Sequence, residues 1–137
     1  LEQISSATGI VREAKRLLAT KKVASRLALL EDITAKDVLD AAKAGDEIAL
    51  EVVDTVSKYL GIALSHLAMT VDPEVFVIGG GVSKAGDFLI DKIREKFEYY
   101  QNNPDEVAGI LEVGAKKAEN IASATIKKVR EAVGIYR

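Results

Sequence analysis

The sequence contains no cysteine and a single histidine, His66, and these two shortages remove several kinds of functional site. Without cysteine, the chain forms no disulfide, no thiolate zinc site and no cysteine nucleophile. A single histidine excludes histidine-rich metal sites and most nucleophilic triads. No spacing of acidic residues places two carboxylates across a cleft for acid–base work. We therefore predict no metal site and assign no catalytic residue.

An excess of charge of one sign and long apolar runs are also missing. The net charge is -2, from 19 basic and 21 acidic residues, so a nucleic-acid partner held by phosphate contacts is not expected. No apolar run reaches the roughly 18 residues of a membrane-spanning helix. The composition predicts a cytoplasmic globular protein, and 137 residues predict a single domain over residues 1–137. Because the chain begins at Leu1 and its only methionine is Met69, we expect a processed chain or a piece of a longer protein.

Helical periodicity dominates the first part of the chain. Apolar residues recur at spacings of three and four from Ile4 to Leu18, which predicts one amphipathic helix. Gly9 lies inside that pattern and costs up to about 1 kcal/mol relative to alanine, so irregular early turns are expected. Residues 23–30 indicate a second, shorter piece that is helical or irregular.

Polar residues mark the starts of the next two helices. Thr34 and Asp37 have the spacing of a capping box, and the helix that they begin is predicted to end at Gly45. Asp46 then opens the longest predicted helix. That helix ends at Asp72, because a residue that precedes proline avoids the helical conformation.

The second half of the sequence predicts two short strands. The unbroken apolar run Val75–Ile78 indicates a buried strand, and Ile110–Val113 indicates a second one. An amphipathic helix with Leu89 and Tyr100 on one face lies between them, and a final helix is expected from about Ala118 to Val133. This order predicts an α/β fold in which the two strands are adjacent and parallel.

The glycine run after Val75–Ile78 is the strongest signal for ligand binding. Gly79, Gly80 and Gly81 would let the backbone approach a ligand and point free amides at a phosphate. The run matches neither a P-loop nor the full dinucleotide fingerprint, so a tight strand-to-helix turn remains an alternative. His66, beside the apolar stripe of the longest helix, is expected to have a structural role.

Three segments together resemble a known family. They are LEQISSATGI (residues 1–10), AAKAGDEIAL (41–50) and VDPEVFVIGGGVSKAG (71–86). In this order they resemble the C-terminal part of bacterial glucokinases of the ROK family of sugar kinases and repressors. The resemblance covers about residues 1–100. It implies a mostly helical fragment of the actin-like, ribonuclease-H-like ATPase fold that includes the two short parallel strands.

The resemblance implies roles for four residues. Glu2 matches a glutamate that hydrogen-bonds the sugar hydroxyls, and Gly79, Gly80 and Gly81 match glycines on the adenosine and phosphate side of the ATP cleft. The substrates implied are glucose and ATP with magnesium. The family's general base, first phosphate loop and zinc site match nothing in this sequence. We therefore expect this chain alone to be inactive and to hold no cofactor.

The C-terminal part departs from the family pattern. Lys116, Asn120 and Ser123 stand where the family usually has glycines beside the nucleotide. The first hypothesis is a glucokinase lobe. The alternatives are an engineered or excised module that only folds or oligomerises, and a fragment of a sugar-responsive repressor. Because Val75–Ile78 would have an open strand edge, we also predict a homo-oligomer.

Overall fold

Helices form all the regular secondary structure in residues 1–80 and 86–134, the parts of the chain that the computed structural model describes. Contacts between residues divide the chain into two compact units. The first unit is Leu1–Asn102 and the second begins at Asn103. The two units are described separately below.

The first predicted helix is present as two helices that meet at Ser6. Helix α1 is Glu2–Ser5 and helix α2 is Ala7–Thr20. Ser6 has an extended backbone, and its hydroxyl accepts a hydrogen bond from the Gly9 amide at 3.1 Å, which caps α2. A β-carbon at Gly9 would lie 2.5 Å from the Gln3 carbonyl oxygen. The irregular early turns are thus confirmed, and their cause is the close packing of α1 over Gly9.

A short 3₁₀ helix, Arg26–Leu29, follows α2. It lies within residues 23–30, where the sequence predicts a short helical or irregular piece. Helix α3 is Ala35–Lys43, and its capping box is confirmed. The Thr34 hydroxyl accepts from the Asp37 amide at 3.2 Å, and the Asp37 carboxylate accepts from the Thr34 amide at 2.9 Å. Gly45 follows with φ of +84°, the left-handed conformation expected after a helix.

Helix α4, Glu47–Val71, is the main support of the first unit. Asp46 caps its N-terminus by accepting from the Ala49 amide at 3.1 Å. At the other end Asp72 adopts a left-handed φ of +47° immediately before Pro73, which ends the helix where the sequence predicts. Both boundaries therefore follow from local residues.

Helix α5, Asp87–Asn102, packs closely against α4 at Gly61. A β-carbon on Gly61 would lie 2.6 Å from the β-carbon of Lys96, so only glycine allows this crossing. Ser57 and Ser65, one turn away on either side, are fully buried, and the Ser65 hydroxyl donates to the Phe97 carbonyl at 3.1 Å. Small side chains thus bring the two helices together.

The apolar core of the first unit lies among α2, α3, α4 and α5. The side chains at its centre are at most 2% exposed and include Ile10, Leu17, Val38, Ile48, Val52 and Leu89. α4 supplies the largest share of these residues. It packs against all four other α-helices of the unit.

The two predicted parallel strands are wrong for the described residues. Val75–Ile78 forms no regular secondary structure, and Ile110–Val113 lies inside helix α6, Pro104–Ala132. Pro104 in the first turn, followed by Asp105 and a second acidic residue, is a helix-start signal that outweighs the short apolar run. The final helix thus begins 14 residues before the predicted Ala118.

Candidate functional site

The predicted glycine run follows residues 75–78, which lie at the surface of the first unit. Phe76 and Ile78 are partly buried, while Val75 and Val77 are 72% and 89% exposed. The Phe76 and Phe97 rings meet edge to face, with centroids 5.9 Å apart. One face of residues 75–78 therefore packs on α5, and this contact holds the chain in place just before the glycines.

Gly79 and Gly80 have open space where a side chain would stand. No heavy atom lies within 4 Å of the position of a β-carbon on either residue, and both are exposed. Gly80 has φ of +88°, a conformation that other residues adopt only with strain. Gly81 lies outside the described residues, so the ligand contact and the alternative tight turn both remain predictions.

The helix that follows the glycines already carries a negative charge at its N-terminus. Asp87 is in the first turn of α5, where the helix dipole favours a carboxylate. An anionic ligand near this turn would be repelled by Asp87. The glycine backbone is therefore a better phosphate contact than the end of α5.

Glu2 lies in the first turn of α1 and is exposed. Its carboxylate accepts no hydrogen bond and forms no ion pair within the described parts of the chain, so both oxygens can accept from a ligand. The Arg12 guanidinium donates to the Gln3 carbonyl, which, together with the packing at Gly9, holds α1 on α2. Glu2 is thus a free acceptor on a short helix held in place at its second residue.

A small cleft beside α1 was not predicted from the sequence. It has a volume of about 170 Å³ and lies between α1, α2 and the middle of α4, where Thr55 and Tyr59 form one wall. Glu13 forms part of another wall, and the hydrogen bond from Arg16 holds the pKa of Glu13 below its ordinary value. Gly9 was the only sequence signal for this cleft. A glycine inside a helix lowers stability, so its presence indicates that another segment packs closely against it.

The structure does not join the two predicted parts of the site. No hydrogen bond or ion pair links Glu2 with Gly79 in the described parts of the chain. His66 is exposed, so the structural role expected for it beside the apolar stripe is not that of a core residue. Within residues 1–80 and 86–134, no three histidine or acidic side chains converge as metal ligands. In the same residues, no helix is both long and apolar enough to cross a membrane.

Comparison with known proteins places the sequence beside sugar kinases. The ROK family profile matches residues 1–125. A glucokinase of Halalkalibacterium halodurans is 51% identical over 104 residues, which are 73% of this chain and 31% of that protein. The crystal structure of a ROK family glucokinase from Streptomyces griseus, in complex with glucose and AMPPNP, matches with a TM-score of 0.64 at 34% identity, covering 73% of this chain and 34% of that chain.

Two further matches concern proteins with other roles. A ROK family transcriptional regulator has a TM-score of 0.63 at 28% identity, over 72% of this chain and 24% of that chain. A stretch of 47 residues, 34% of this chain, is 45% identical to the mitochondrial tryptophan–tRNA ligase of Dictyostelium discoideum and covers 12% of it. The chain spans about a third of the length of the glucokinases that it matches.

Proposed function

This chain belongs to the ROK family, and we propose on that basis that it forms the C-terminal lobe of an ATP-dependent glucokinase with an actin-like fold. The observation that carries the proposal is the exposed glycine pair, Gly79 and Gly80, in a chain similar to a glucokinase that binds AMPPNP. The reaction is transfer of the γ-phosphoryl group of ATP to a hydroxyl of glucose. We also propose that the protein acts in the cytoplasm.

The proposed roles divide between two places in the first unit. Gly79, Gly80 and Gly81 contact the adenosine and phosphate groups through the backbone, since a side chain there would stand between the amides and the ligand. Glu2 accepts hydrogen bonds from sugar hydroxyls, which carboxylates bind strongly because the acceptor is charged. Phosphoryl transfer depends mainly on holding the two substrates in line, so both contacts are positioning contacts.

Magnesium does not fit the described residues as a resident metal. No cluster of three acidic or histidine side chains exists in residues 1–80 and 86–134 to hold it. Asp87, in the first turn of α5, is the nearest acidic residue in sequence after the glycines. A single carboxylate is too few for an octahedral ion that also retains water. We therefore assign the metal no ligand in this chain and derive no step from it.

We expect this chain alone to give no glucose phosphorylation above background. The family's general base and first phosphate loop match nothing in the sequence, and positioning contacts alone do not remove the proton from the attacking hydroxyl. A glucose-dependent ADP-release assay on the purified chain tests this expectation. Turnover above a no-protein control would contradict it.

Nucleotide binding is tested by calorimetric titration of ATP into wild-type protein and two glycine variants. Gly80 and Gly45 have φ of +88° and +84°, and neither has an atom within 4 Å of its β-carbon position. Gly80→Ala and Gly45→Ala therefore carry the same backbone strain of about 1–2 kcal/mol. We expect weak ATP binding that is lost in Gly80→Ala and retained in Gly45→Ala. Equal affinity in both variants would place the nucleotide elsewhere.

Sugar binding is tested with a second matched pair. Glu2 and Glu47 are both exposed acids in the first turn of a helix. Glucose titration followed by amide chemical shifts should move the signals of Gln3 and its neighbours in wild type and in Glu47→Gln. The shifts should disappear in Glu2→Gln. Shifts that persist in Glu2→Gln would remove the sugar-binding role from this residue.

A second candidate function is a non-catalytic folding or oligomerisation module. Lys116, Asn120 and Ser123 replace family glycines and lie exposed on α6, where they need no close packing. The 47-residue similarity to an enzyme of another class also favours a recombined chain. A sugar-responsive repressor fragment is a third candidate, supported by the regulator structure but by fewer relatives than the kinase. ATP binding that depends on Gly80 favours the kinase lobe over the module.

A further inference from the structure

Helix α1 carries Glu2 and is at least partly exposed along its whole length, Glu2–Ser5. A cleft of about 170 Å³ lies beside it, between α1, α2 and α4. A helix of four residues is too short to be stable by itself, since isolated helices below about 12–15 residues are marginal in water. The position of Glu2 therefore depends on the contacts that α1 makes with the rest of the first unit.

The Gln3 carbonyl is a point at which α1 contacts α2. The last carbonyls of a helix lack partners inside that helix. Ser6, which has an extended backbone, ends α1 three residues after Gln3. The Arg12 guanidinium of α2 donates a hydrogen bond to the Gln3 oxygen. A side chain of the next helix thus supplies the partner that this carbonyl needs.

Gly9 sets how closely α1 approaches α2. A β-carbon on Gly9 would lie 2.5 Å from the Gln3 oxygen and 2.7 Å from the Ile4 oxygen. A larger residue at this position would push α1 outward and move the Gln3 oxygen away from Arg12. Gly9 and Arg12 therefore both act on the same carbonyl oxygen.

We propose that Arg12 is a positioning residue for Glu2. Through the Gln3 carbonyl it holds α1 where the Glu2 carboxylate accepts hydrogen bonds from sugar hydroxyls. Gln3 directly follows Glu2, so a displacement of its carbonyl moves the Glu2 backbone as well. A carboxylate on a fixed helix binds a sugar more tightly than one on a loose helix, because less conformational entropy is lost on binding. The proposal rests on the sugar-binding role proposed above for Glu2.

Arg16 offers a matched comparison one turn further along α2. Its guanidinium forms an ion pair with Glu13 of the same helix at 2.7 Å. Arg12 and Arg16 are both exposed. Arg12→Met and Arg16→Met therefore remove the same charge from the same helix, but only Arg12→Met removes the hydrogen bond to the Gln3 oxygen.

The contact is tested first without sugar, by amide hydrogen exchange of the full chain. The Ser6 amide donates to the Glu2 carbonyl at 3.2 Å, so its exchange rate reports the opening of α1. We expect this rate to rise about three- to tenfold in Arg12→Met, for the loss of one hydrogen bond, and to stay unchanged in Arg16→Met. The amides of α4 should keep wild-type protection in both variants, which shows that the unit remains folded.

Glucose titration followed by amide chemical shifts then tests the consequence for binding. The dissociation constant for glucose should rise about three- to tenfold in Arg12→Met and stay within about twofold of wild type in Arg16→Met. Arg12→Lys keeps the charge and a donor, which is enough for a contact with a single acceptor oxygen, and should also bind within about twofold of wild type. Gly9→Ala displaces α1 without a change of charge and should weaken binding as Arg12→Met does.

The outcomes separate this proposal from the role of Glu2 on which it rests. If α1 opens faster in Arg12→Met but glucose affinity equals that of wild type, the positioning role is overturned and the Glu2 contact stands. Unchanged exchange at Ser6 in Arg12→Met also overturns the positioning role. If wild type binds no glucose, or if Glu2→Gln binds as wild type does, the role of Glu2 itself is wrong and the proposal is overturned with it.

Discussion

The Asp46 carboxylate joins two parts of the first unit, and its removal is a quantitative test of the fold. One oxygen accepts from the Ala49 amide at 3.1 Å and caps α4. The other accepts from the Arg26 amide at 2.9 Å, and the Ser25 hydroxyl donates to both at 2.9 and 3.0 Å. Asp46 is therefore both the N-cap of the longest helix of the first unit and the anchor of the 3₁₀ helix 20 residues earlier.

We expect Asp46→Ala to lower the free energy of unfolding by about 2–4 kcal/mol. Loss of an N-cap costs about 0.5–2 kcal/mol, and loss of hydrogen bonds to a charged, half-buried group contributes the rest. Asp46→Asn keeps one acceptor oxygen and should lose about 1–2 kcal/mol. Urea unfolding followed by circular dichroism measures both values.

The pH dependence of the free energy of unfolding is an independent test of whether the Asp46 carboxylate stabilises the fold. Burial raises the pKa of the Asp46 carboxyl, but the hydrogen bonds from the Ala49 amide, the Arg26 amide and the Ser25 hydroxyl outweigh it and hold the pKa below its ordinary value. The stability contributed by the carboxylate is therefore fully present above the unfolded-state pKa of about 4 and is lost as the pH falls through the lower folded-state pKa. The difference between wild type and Asp46→Asn should be constant near neutral pH and shrink in acid.

Asp40→Asn is the matched control for this experiment. Asp40 makes one exposed ion pair with Lys36 at 2.7 Å, so its loss should change the free energy of unfolding by less than about 0.5 kcal/mol. The reasoning is refuted if Asp46→Asn costs no more than Asp40→Asn at neutral pH. It is also refuted if the difference between wild type and Asp46→Asn grows in acid.

Three further outcomes follow from the packing and the chain organisation. Gly61→Ala should destabilise the protein by about 1–3 kcal/mol, since its β-carbon would lie 2.6 Å from that of Lys96, while Gly114→Ala, with open space around it in α6, should stabilise that helix by up to about 1 kcal/mol. Thermal unfolding of both variants measures this opposite sign, and equal signs would contradict the packing argument. Ser65→Ala should cost about 1 kcal/mol, through loss of the hydrogen bond to the Phe97 carbonyl, in the same unfolding assay. A single domain over residues 1–137 predicts one calorimetric transition, and two separate transitions would disprove it.

Local signals in the sequence were sufficient for most helix boundaries. The capping box at Thr34 and the stop at Asp72 depend on neighbouring residues only, and both are found where predicted. The break at Ser6 was harder to predict from the sequence. It depends on the close packing of α1 against Gly9 as well as on the low helix propensity of glycine. Boundaries set by local hydrogen bonds are readable from sequence, whereas those set by packing are not.

The prediction of two strands was wrong for a different reason. A short apolar run such as Ile110–Val113 has no periodicity that separates a strand from a helix, and the acidic first turn with Pro104 begins a helix well before it. Glu112 within this run forms an ion pair with Lys116 at 2.6 Å, at the four-residue spacing that supports a helix. Val75–Ile78 was predicted as a buried strand, but it pairs with no strand, and Val75 and Val77 are exposed. Pairing and burial require a neighbouring segment that the local sequence does not specify.

The candidate site was predictable only in its separate parts. The glycine run predicted unusual backbone freedom, and Gly80 has a positive φ. The cleft beside α1 depends on Thr55 and Tyr59 of α4, which are distant in sequence from Gly9 and carry no motif. Sequence patterns thus identified residues with unusual backbone freedom. Only the structure shows which residues lie next to them.

The crossing at Gly61 has a mechanical consequence for the whole first unit. Lys96 of α5 packs against Gly61 of α4, where only glycine fits. If α5 shifted along α4, Lys96 would collide with a larger side chain of α4. The Phe76–Phe97 contact attaches the glycine-bearing segment to the same helix. The Gly61 crossing and the Phe76–Phe97 contact therefore lock the segment before the glycines to α5, and α5 to α4.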